Sequence, residues 1–192
     1  MIRSKEDYKR YLERDAIALS RRRKRPRLFG DEVWKFQRTL RKQEYYLSFS
    51  KYKKILFLIP IMLNKFSFKH QSIKLGFSIP VGVFDEGLSI AHYGTIVVNP
   101  KAKVGKNCRI HEGVNIGATN GSAKAPVIGD NVFIATGAKI IGDITIADDV
   151  AIGANAVVVK SITEKGTTWG GVPAKKISSN NSHSNLASKL FV

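Results

Sequence analysis

The chain has 192 residues, 32 of them Lys or Arg and 15 Asp or Glu, for a formal net charge of +17. Hydrophobic residues at 43% and charged residues at 24% fall in the globular range. One cysteine, Cys108, excludes a disulfide framework or a multi-cysteine zinc site. No apolar run reaches the ~20 residues of a membrane span, and the N-terminus shows no apolar secretory core, so a cytoplasmic protein is expected.

The charge is unevenly placed. Residues 1–76 hold 21 basic and 7 acidic residues (21 − 7 = +14), and residues 77–192 hold 11 and 8 (11 − 8 = +3). Residues 1–76 contain only Gly30 and Gly76 of the 16 glycines. These shifts divide the chain into a basic helical N-terminal region (1–76), a glycine-punctuated β region (77–178) and a polar C-terminal tail (179–192).

Three helical segments are predicted in the first region. Ser4 with Glu6 and Asp7 forms a helix start, since acidic residues favour the positive end of the helix dipole. Tyr8, Tyr11, Leu12, Asp15 and Leu19 then give a helical stripe with one polar interruption as far as the basic run 21–27, where Pro26 disfavours helix at the residue before it. A second helix starts at Gly30-Asp31-Glu32, with Val33, Trp34, Phe36, Gln37, Leu40 and Leu47 at helical spacing. The third segment, Ile55 to Leu63, is apolar on every side. It reads as a buried helix or an oligomer contact, or else as a membrane-surface anchor flanked by Lys51, Lys53, Lys54 and Lys65.

From residue 98 onward the period changes to six. Steps of six from Val98 reach Val104, Ile110, Ile116, the exception Ser122, then Ile128, Ile134, Ile140, Ile146, Ile152 and Val158. A second column four residues later runs Ala102, Cys108, Val114, Asn120, Pro126, Val132, Ala138, Ile144, Val150, Ala156 and Ile162. Neither the 3.6 period of a helix nor the 2.0 period of an ordinary strand produces this. Six residues make a short flat strand and a corner, three such units close a triangular turn, and turns stack at the ~4.8 Å strand spacing. The expected fold is therefore mainly β, a parallel β-helix of hexapeptide repeats with an α-helical N-terminal region. About five turns fit between residues 78 and 170. Cys108 lies in an inward column and reads as a buried structural thiol. Asn120–Pro126 breaks the period and is expected to leave the helix as a loop.

The hexapeptide pattern, with Ile90-Ala91-His92-Tyr93-Gly94 and Gly171-Val172-Pro173-Ala174-Lys175-Lys176, resembles the left-handed parallel β-helix acyltransferases, and among them the serine acetyltransferases. The resemblance covers residues 77–178. It implies a left-handed coil, acetyl-CoA as acetyl donor, an O-acetyltransferase reaction, and a homotrimer or dimer of trimers. It also implies that His92 is the general base that takes the proton of an acceptor hydroxyl. His111 is expected on the same side of the adjacent coil, structural or, with Glu112 and Lys124, in contact with the acceptor. His70 and His183 read as solvated bystanders.

Gly117, Ala135 and Gly153 are spaced by 18 residues and are expected to stack on one corner. That stack would form a groove for the pantetheine arm, although corners favour small residues for their own sake. The Gly117 N–H is also a candidate oxyanion donor, and Lys175 and Lys176 are candidates for the CoA phosphates. No His/Asp/Glu cluster has metal-ligand spacing along the chain, so no metal is expected.

The sequence departs from the serine-specific pattern at three places. Ala91 and Phe77 stand where that pattern has Asp, and Lys124-Ala125-Pro126 where it has Arg-His-Pro. These positions serve amino-acid recognition and catalytic support, so a sugar or surface-polysaccharide hydroxyl is expected ahead of serine as acceptor. The 21–27 run raises nucleic-acid binding on charge alone and is not supported by any motif, and a catalytically inert scaffold is a further alternative. The basic N-terminal region is also compatible with attachment to the inner face of a membrane.

Overall fold

The computed structural model describes every residue of the chain except Lys24, Asn120, Ser122 and Val192. Helix α1 (Lys5–Ala18) starts from a reciprocal cap. The Ser4 hydroxyl accepts from the Asp7 N–H at 3.0 Å, and the Asp7 carboxylate accepts from the Ser4 N–H at 3.2 Å. Helix α2 (Glu32–Leu47) follows Asp31, whose left-handed backbone (φ 57°) turns the chain into it. Part of the basic run folds back, because Arg21 and Arg23 pair with Asp31 at 3.2 and 3.6 Å.

The third predicted segment becomes two helices, α3 (Lys51–Leu56) and α4 (Leu58–Leu75). Pro60 falls in the first turn of α4, where its missing N–H forfeits no helical hydrogen bond, so α4 continues far past Leu63. The expectation of a buried helix is corrected: from Ile55 to Leu63 every residue is exposed except the half-buried Ile61. Gly76 ends α4 in a left-handed conformation (φ 77°), and a Cβ there would press on the Gly94 backbone at 3.1 Å.

Fourteen short strands follow. The first seven are β1 (Phe77–Ser78), β2 (Ser89–Ile90), β3 (Ile96–Val98), β4 (Lys103–Val104), β5 (Arg109–Ile110), β6 (Asn115–Gly117) and β7 (Val127–Ile128). The rest are β8 (Phe133–Ile134), β9 (Lys139–Ile141), β10 (Thr145–Ile146), β11 (Ala151–Ile152), β12 (Val157–Val158), β13 (Thr168–Gly170) and β14 (Lys175–Ser178). They form three parallel ladders, β1-β3-β6-β9-β12, β4-β7-β10 and β2-β5-β8-β11-β13, the last closed by the antiparallel β14. These are the three sides of a left-handed parallel β-helix. Every described member of the two six-step columns is buried; Ser122 and Asn120, the exceptions of the two columns, lie outside the described residues. Between β6 and β7 the turn is longer than elsewhere; of the loop expected at 120–126, residues 120 and 122 lie outside the described residues. Ile116 pairs with Ile140 (140 − 116 = 24), whereas Ile134 pairs with Ile152 (152 − 134 = 18).

One corner carries a side-chain ladder that the small-residue pattern did not reveal. Asn107 donates to Asn131 at 2.8 Å, and Asn131 donates to Asp149 at 2.9 Å. All three residues have left-handed backbones, with φ of 57°, 57° and 61°. Arg14 donates to Asn107 at one end, and at the other His183 meets Asp149 at 2.8 Å and stacks on Phe191. The expectation of a solvated His183 in a free polar tail is therefore corrected. Leu186 and Leu190 pack with Ala18 of α1, and Ser182 bonds the Asn131 carbonyl, so residues 182–190 lie against the body of the protein.

The helices cover the N-terminal end of the coil. Phe36, Leu40 and Leu75 join the β-helix core. Gln37 donates to the Leu88 carbonyl at 2.7 Å and accepts from the Ile90 N–H at 3.1 Å, taking the place of a preceding strand. Asp15 accepts from the Gly87 and Leu88 N–H groups, each at 2.9 Å. Arg41, wholly buried, holds Asp15 and Glu44 and donates to the Phe84 and Asp85 carbonyls. Removing one partner of a buried ion pair strands the others without compensation. Arg41→Met should therefore lower unfolding free energy by about 3–5 kcal/mol in a urea titration. A loss under about 1 kcal/mol would show that the guanidinium does not hold this end together.

Candidate active site

Strands β2, β5, β8 and β11 place Ile90, Ile110, Ile134 and Ile152 in one register, which aligns the residues that follow them, Ala91, His111, Ala135 and Gly153. His92 lies one residue beyond this column. The two histidine rings meet edge to face with centroids 5.8 Å apart. His111 also packs edge to face on Phe133, centroids 5.3 Å apart, and its Nε2 accepts from Arg109 Nε at 3.4 Å. His92 is exposed and His111 half-buried.

Glu112 completes the group. One nitrogen of each histidine and one Glu112 carboxylate oxygen lie within 4.8 Å of one another. Glu112 Oε1 accepts from Thr136 Oγ1 at 2.9 Å, while Oε2 is out of reach of solvent and accepts no hydrogen bond from the described residues. The Glu112 backbone N–H, the Thr136 hydroxyl and the two imidazoles hold this carboxyl below the usual carboxylate range, against the opposing effect of burial. Burial, and after it the Arg109 guanidinium, lowers the His111 pKa, with Glu112 pulling the other way. The site thus joins an exposed imidazole, a half-buried imidazole kept neutral and an ionised carboxylate, the elements of a proton-transfer group.

Counting ligand spacing along the chain suggested no cluster of His, Asp and Glu. That expectation is corrected, because stacking of adjacent coils gathers three such groups that are 19 and 20 residues apart in sequence (111 − 92 and 112 − 92). The signal was present in the register: once Ile90 is set against Ile110, the residues after each are neighbours. Arg109 and Thr136, which orient His111 and Glu112, had no comparable sequence signal.

The other predicted positions are dispersed. Gly117 does not stack with Ala135 and Gly153, because the loop after β6 adds six residues to that turn; Gly117 pairs with Ile141 on another side. The column of Ala135 and Gly153 instead continues from Ala91 and His111 and ends opposite Gly170 (Ile152 pairs with Trp169). A Cβ at Gly153 would lie 3.3 Å from the Trp169 carbonyl oxygen. Lys124 is exposed and pairs with Asp143 at 3.0 Å. Lys175 and Lys176 open β14 and line a cavity of about 340 Å³ with Val158, Trp169, Pro173 and Ala174; Lys176 is also bonded to Glu164 at 2.6 Å. Cys108 is buried, and desolvation pushes its thiol up to about 12, so it is no nucleophile at neutral pH.

Residues 125–160 match the sequence pattern of the bacterial transferase hexapeptide family (six repeats). Among curated proteins, the serine acetyltransferase of Staphylococcus xylosus is 42% identical over 85 residues, 43% of this chain and 39% of that protein. That of Mycobacterium tuberculosis is 38% identical over 100 residues, 51% of this chain and 43% of that protein. The chain thus spans about two-fifths of the length of these relatives. Among solved structures, Brucella abortus serine acetyltransferase superposes with a TM-score of 0.73 at 25% identity, covering 93% of this chain and 72% of that one. The same enzyme in complex with coenzyme A gives 0.65 at 25% identity, covering 92% of this chain and 68% of that one.

A histidine whose pKa is lowered by folding binds its proton more readily in the unfolded chain. Stability should therefore fall as pH drops below about 6.5, the ordinary histidine value, and continue to fall until the folded-state pKa is passed. In denaturant titrations at pH 7.5 and pH 5.5, both set by that window, His111→Gln should lose less stability on acidification than the parent. Equal losses in the two proteins would count against the environment described for His111.

Proposed function

With its β-helix a hexapeptide-repeat fold of the serine acetyltransferase-like acyltransferases, we propose that the chain is an acetyl-CoA-dependent O-acetyltransferase with His92 as general base. The meeting of His92 with His111 and Glu112 across adjacent coils carries this reading. A neutral hydroxyl is a weak nucleophile toward a thioester. As its oxygen attacks the thioester carbonyl carbon, an imidazole nitrogen of His92 takes the hydroxyl proton. The tetrahedral centre then expels the CoA sulfur, which receives that proton from the imidazolium. The products are an acetyl ester and free CoA thiol. Glu112 carries the negative charge that orients His92 and stabilises its protonated form, and neutral His111, whose Nε2 accepts from Arg109, donates a hydrogen bond from Nδ1 to the acceptor. A well-placed base contributes ~10²–10⁴ in rate.

The solved Brucella abortus relative in complex with coenzyme A supports acetyl-CoA as the donor substrate. The small column of Ala135 and Gly153, running from His111, offers the pantetheine arm a groove lined by backbone. The Lys175–Lys176 cavity at the C-terminal end offers positive charge for the phosphates. Gly117, displaced to another side, is left out of this groove. A homotrimer or dimer of trimers is part of the same proposal.

For the acceptor, the relatives named above support serine over the sugar hydroxyl expected first from the sequence. The second reading, a sugar or glycan, rests on Ala91, Phe77 and Lys124–Pro126. They leave the serine-specific positions without two acidic groups and a histidine, with Lys124 keeping a positive charge where that pattern has Arg. Thiol release from acetyl-CoA should be stimulated by L-serine above a panel of sugars and nucleotide sugars; stimulation by a sugar alone would reverse that order.

In the same assay His92→Ala should lose about 10²–10⁴ in kcat. Glu112→Gln should lose about 10-fold or more in kcat with KM for acetyl-CoA little changed, as expected for a charge that acts in the transition state. Activity should survive dialysis against a chelator. Near-parental turnover by His92→Ala would sink the assignment.

A further inference from the structure

Helix α4 is built inside out. Its inner face against α2 carries Asn64, Ser67 and Gln71 among Ile61, Phe68 and Leu75. Asn64 donates to the Thr39 carbonyl at 3.3 Å and to Gln43 at 2.9 Å, and Gln71 donates to the Thr39 hydroxyl at 3.2 Å and to Ser67 at 2.8 Å. The opposite face carries Ile59, Met62, Phe66 and Ile73 at spacings of 3, 4 and 7, a straight helical stripe. These four side chains are between 62% and 74% exposed. Ile55 and Leu56 of α3 extend the stripe and are exposed too. Lys69 and His70 stand on this face between Phe66 and Ile73, so the apolar strip runs from Ile55 to Phe66 and resumes at Ile73. Exposed strips of this kind mark surfaces that meet another apolar phase.

The charge around the strip identifies that phase. Between Glu44 and Asp85 the chain has no acidic residue, while Lys51, Lys53, Lys54, Lys65, Lys69 and Lys74 are all exposed. A second copy of this face would set these lysines against the same lysines, with no carboxylate in the segment to pair them. An anionic bilayer satisfies both features. We propose that α3 and α4 lie on an anionic membrane surface, with Ile59, Met62, Phe66 and Ile73 in the headgroup–acyl boundary and the flanking lysines on lipid phosphates. Surface-lying helices of this kind bury their apolar face ~5–10 Å deep, and each nearby lysine adds to the attraction. Among the described residues no helix is long and apolar enough to cross a membrane, so the contact is peripheral.

Vesicle co-sedimentation with the full chain tests this, using phosphatidylcholine alone or mixed with phosphatidylglycerol. The chain should pellet with the mixed vesicles, at least about 10-fold more weakly with phosphatidylcholine alone, and less as salt is raised. Met62→Glu/Phe66→Glu changes only exposed side chains. It should reduce partitioning by about 10-fold or more while the circular dichroism spectrum and Tm stay as in the parent. The proposal is overturned if the parent stays in the supernatant with mixed vesicles, or if the double variant binds as the parent does. It is likewise overturned if light scattering shows the variant breaking down an assembly of the parent that binds no vesicle, which would make the strip a contact between copies.

Discussion

Strands of two to four residues cannot satisfy their own backbone. In a parallel β-helix each N–H and C=O finds its partner one coil away, so the fold exists only as a stack, and both ends of the stack leave backbone groups unpaired. Most of this protein's architecture answers that constraint. Between the ends, the six-residue period keeps branched side chains inward and in line, as in the unbroken run Ile90, Ile110, Ile134 and Ile152. At the C-terminal end the chain reverses, and β14 pairs antiparallel with β13. At the N-terminal end, where no further coil precedes, side chains from α1 and α2 do what a strand would have done. Gln37 mimics a neighbouring strand for Leu88 and Ile90, and Asp15 takes the amides of Gly87 and Leu88.

That arrangement explains a charge cluster that looks costly in isolation. Asp15 is fully buried, and burial raises its pKa, yet its carboxylate meets two backbone donors and a bidentate guanidinium. Arg41 in turn spends its remaining donors on Glu44 and on two carbonyls of the first coil. The ion pair earns its place through the backbone groups it satisfies, which a hydrophobic replacement would leave bare. The Arg14–Asn107–Asn131–Asp149–His183 ladder repeats the logic along one corner. Left-handed corners expose side-chain amides, which then bond from coil to coil.

The candidate active site follows from the same stacking. A coil places chemically active residues in register with those of the next coil at strand spacing, so groups distant in sequence become neighbours. His92, His111 and Glu112 meet because β2 and β5 are adjacent, not because the chain turns locally. Insertions then decide which residues share a side. The extra residues after β6 move Gly117 away from Ala135, while the segment from β8 to β11 keeps the regular 18-residue turn (152 − 134).

The sequence alone determined the repeat and its inward columns, because burying branched residues every six positions has one economical geometry. It determined the helix starts at Ser4 and Asp31, which depend on neighbours within one turn, and it singled out His92 and a partner histidine. Only the tertiary structure decided what those residues face. Glu112 joins the histidines, Gly117 leaves the proposed groove, His183 closes a ladder, and α4 turns its apolar face outward. Each of these depends on which elements lie side by side, and pairing across coils or helices is set by the whole chain's packing rather than by local pattern.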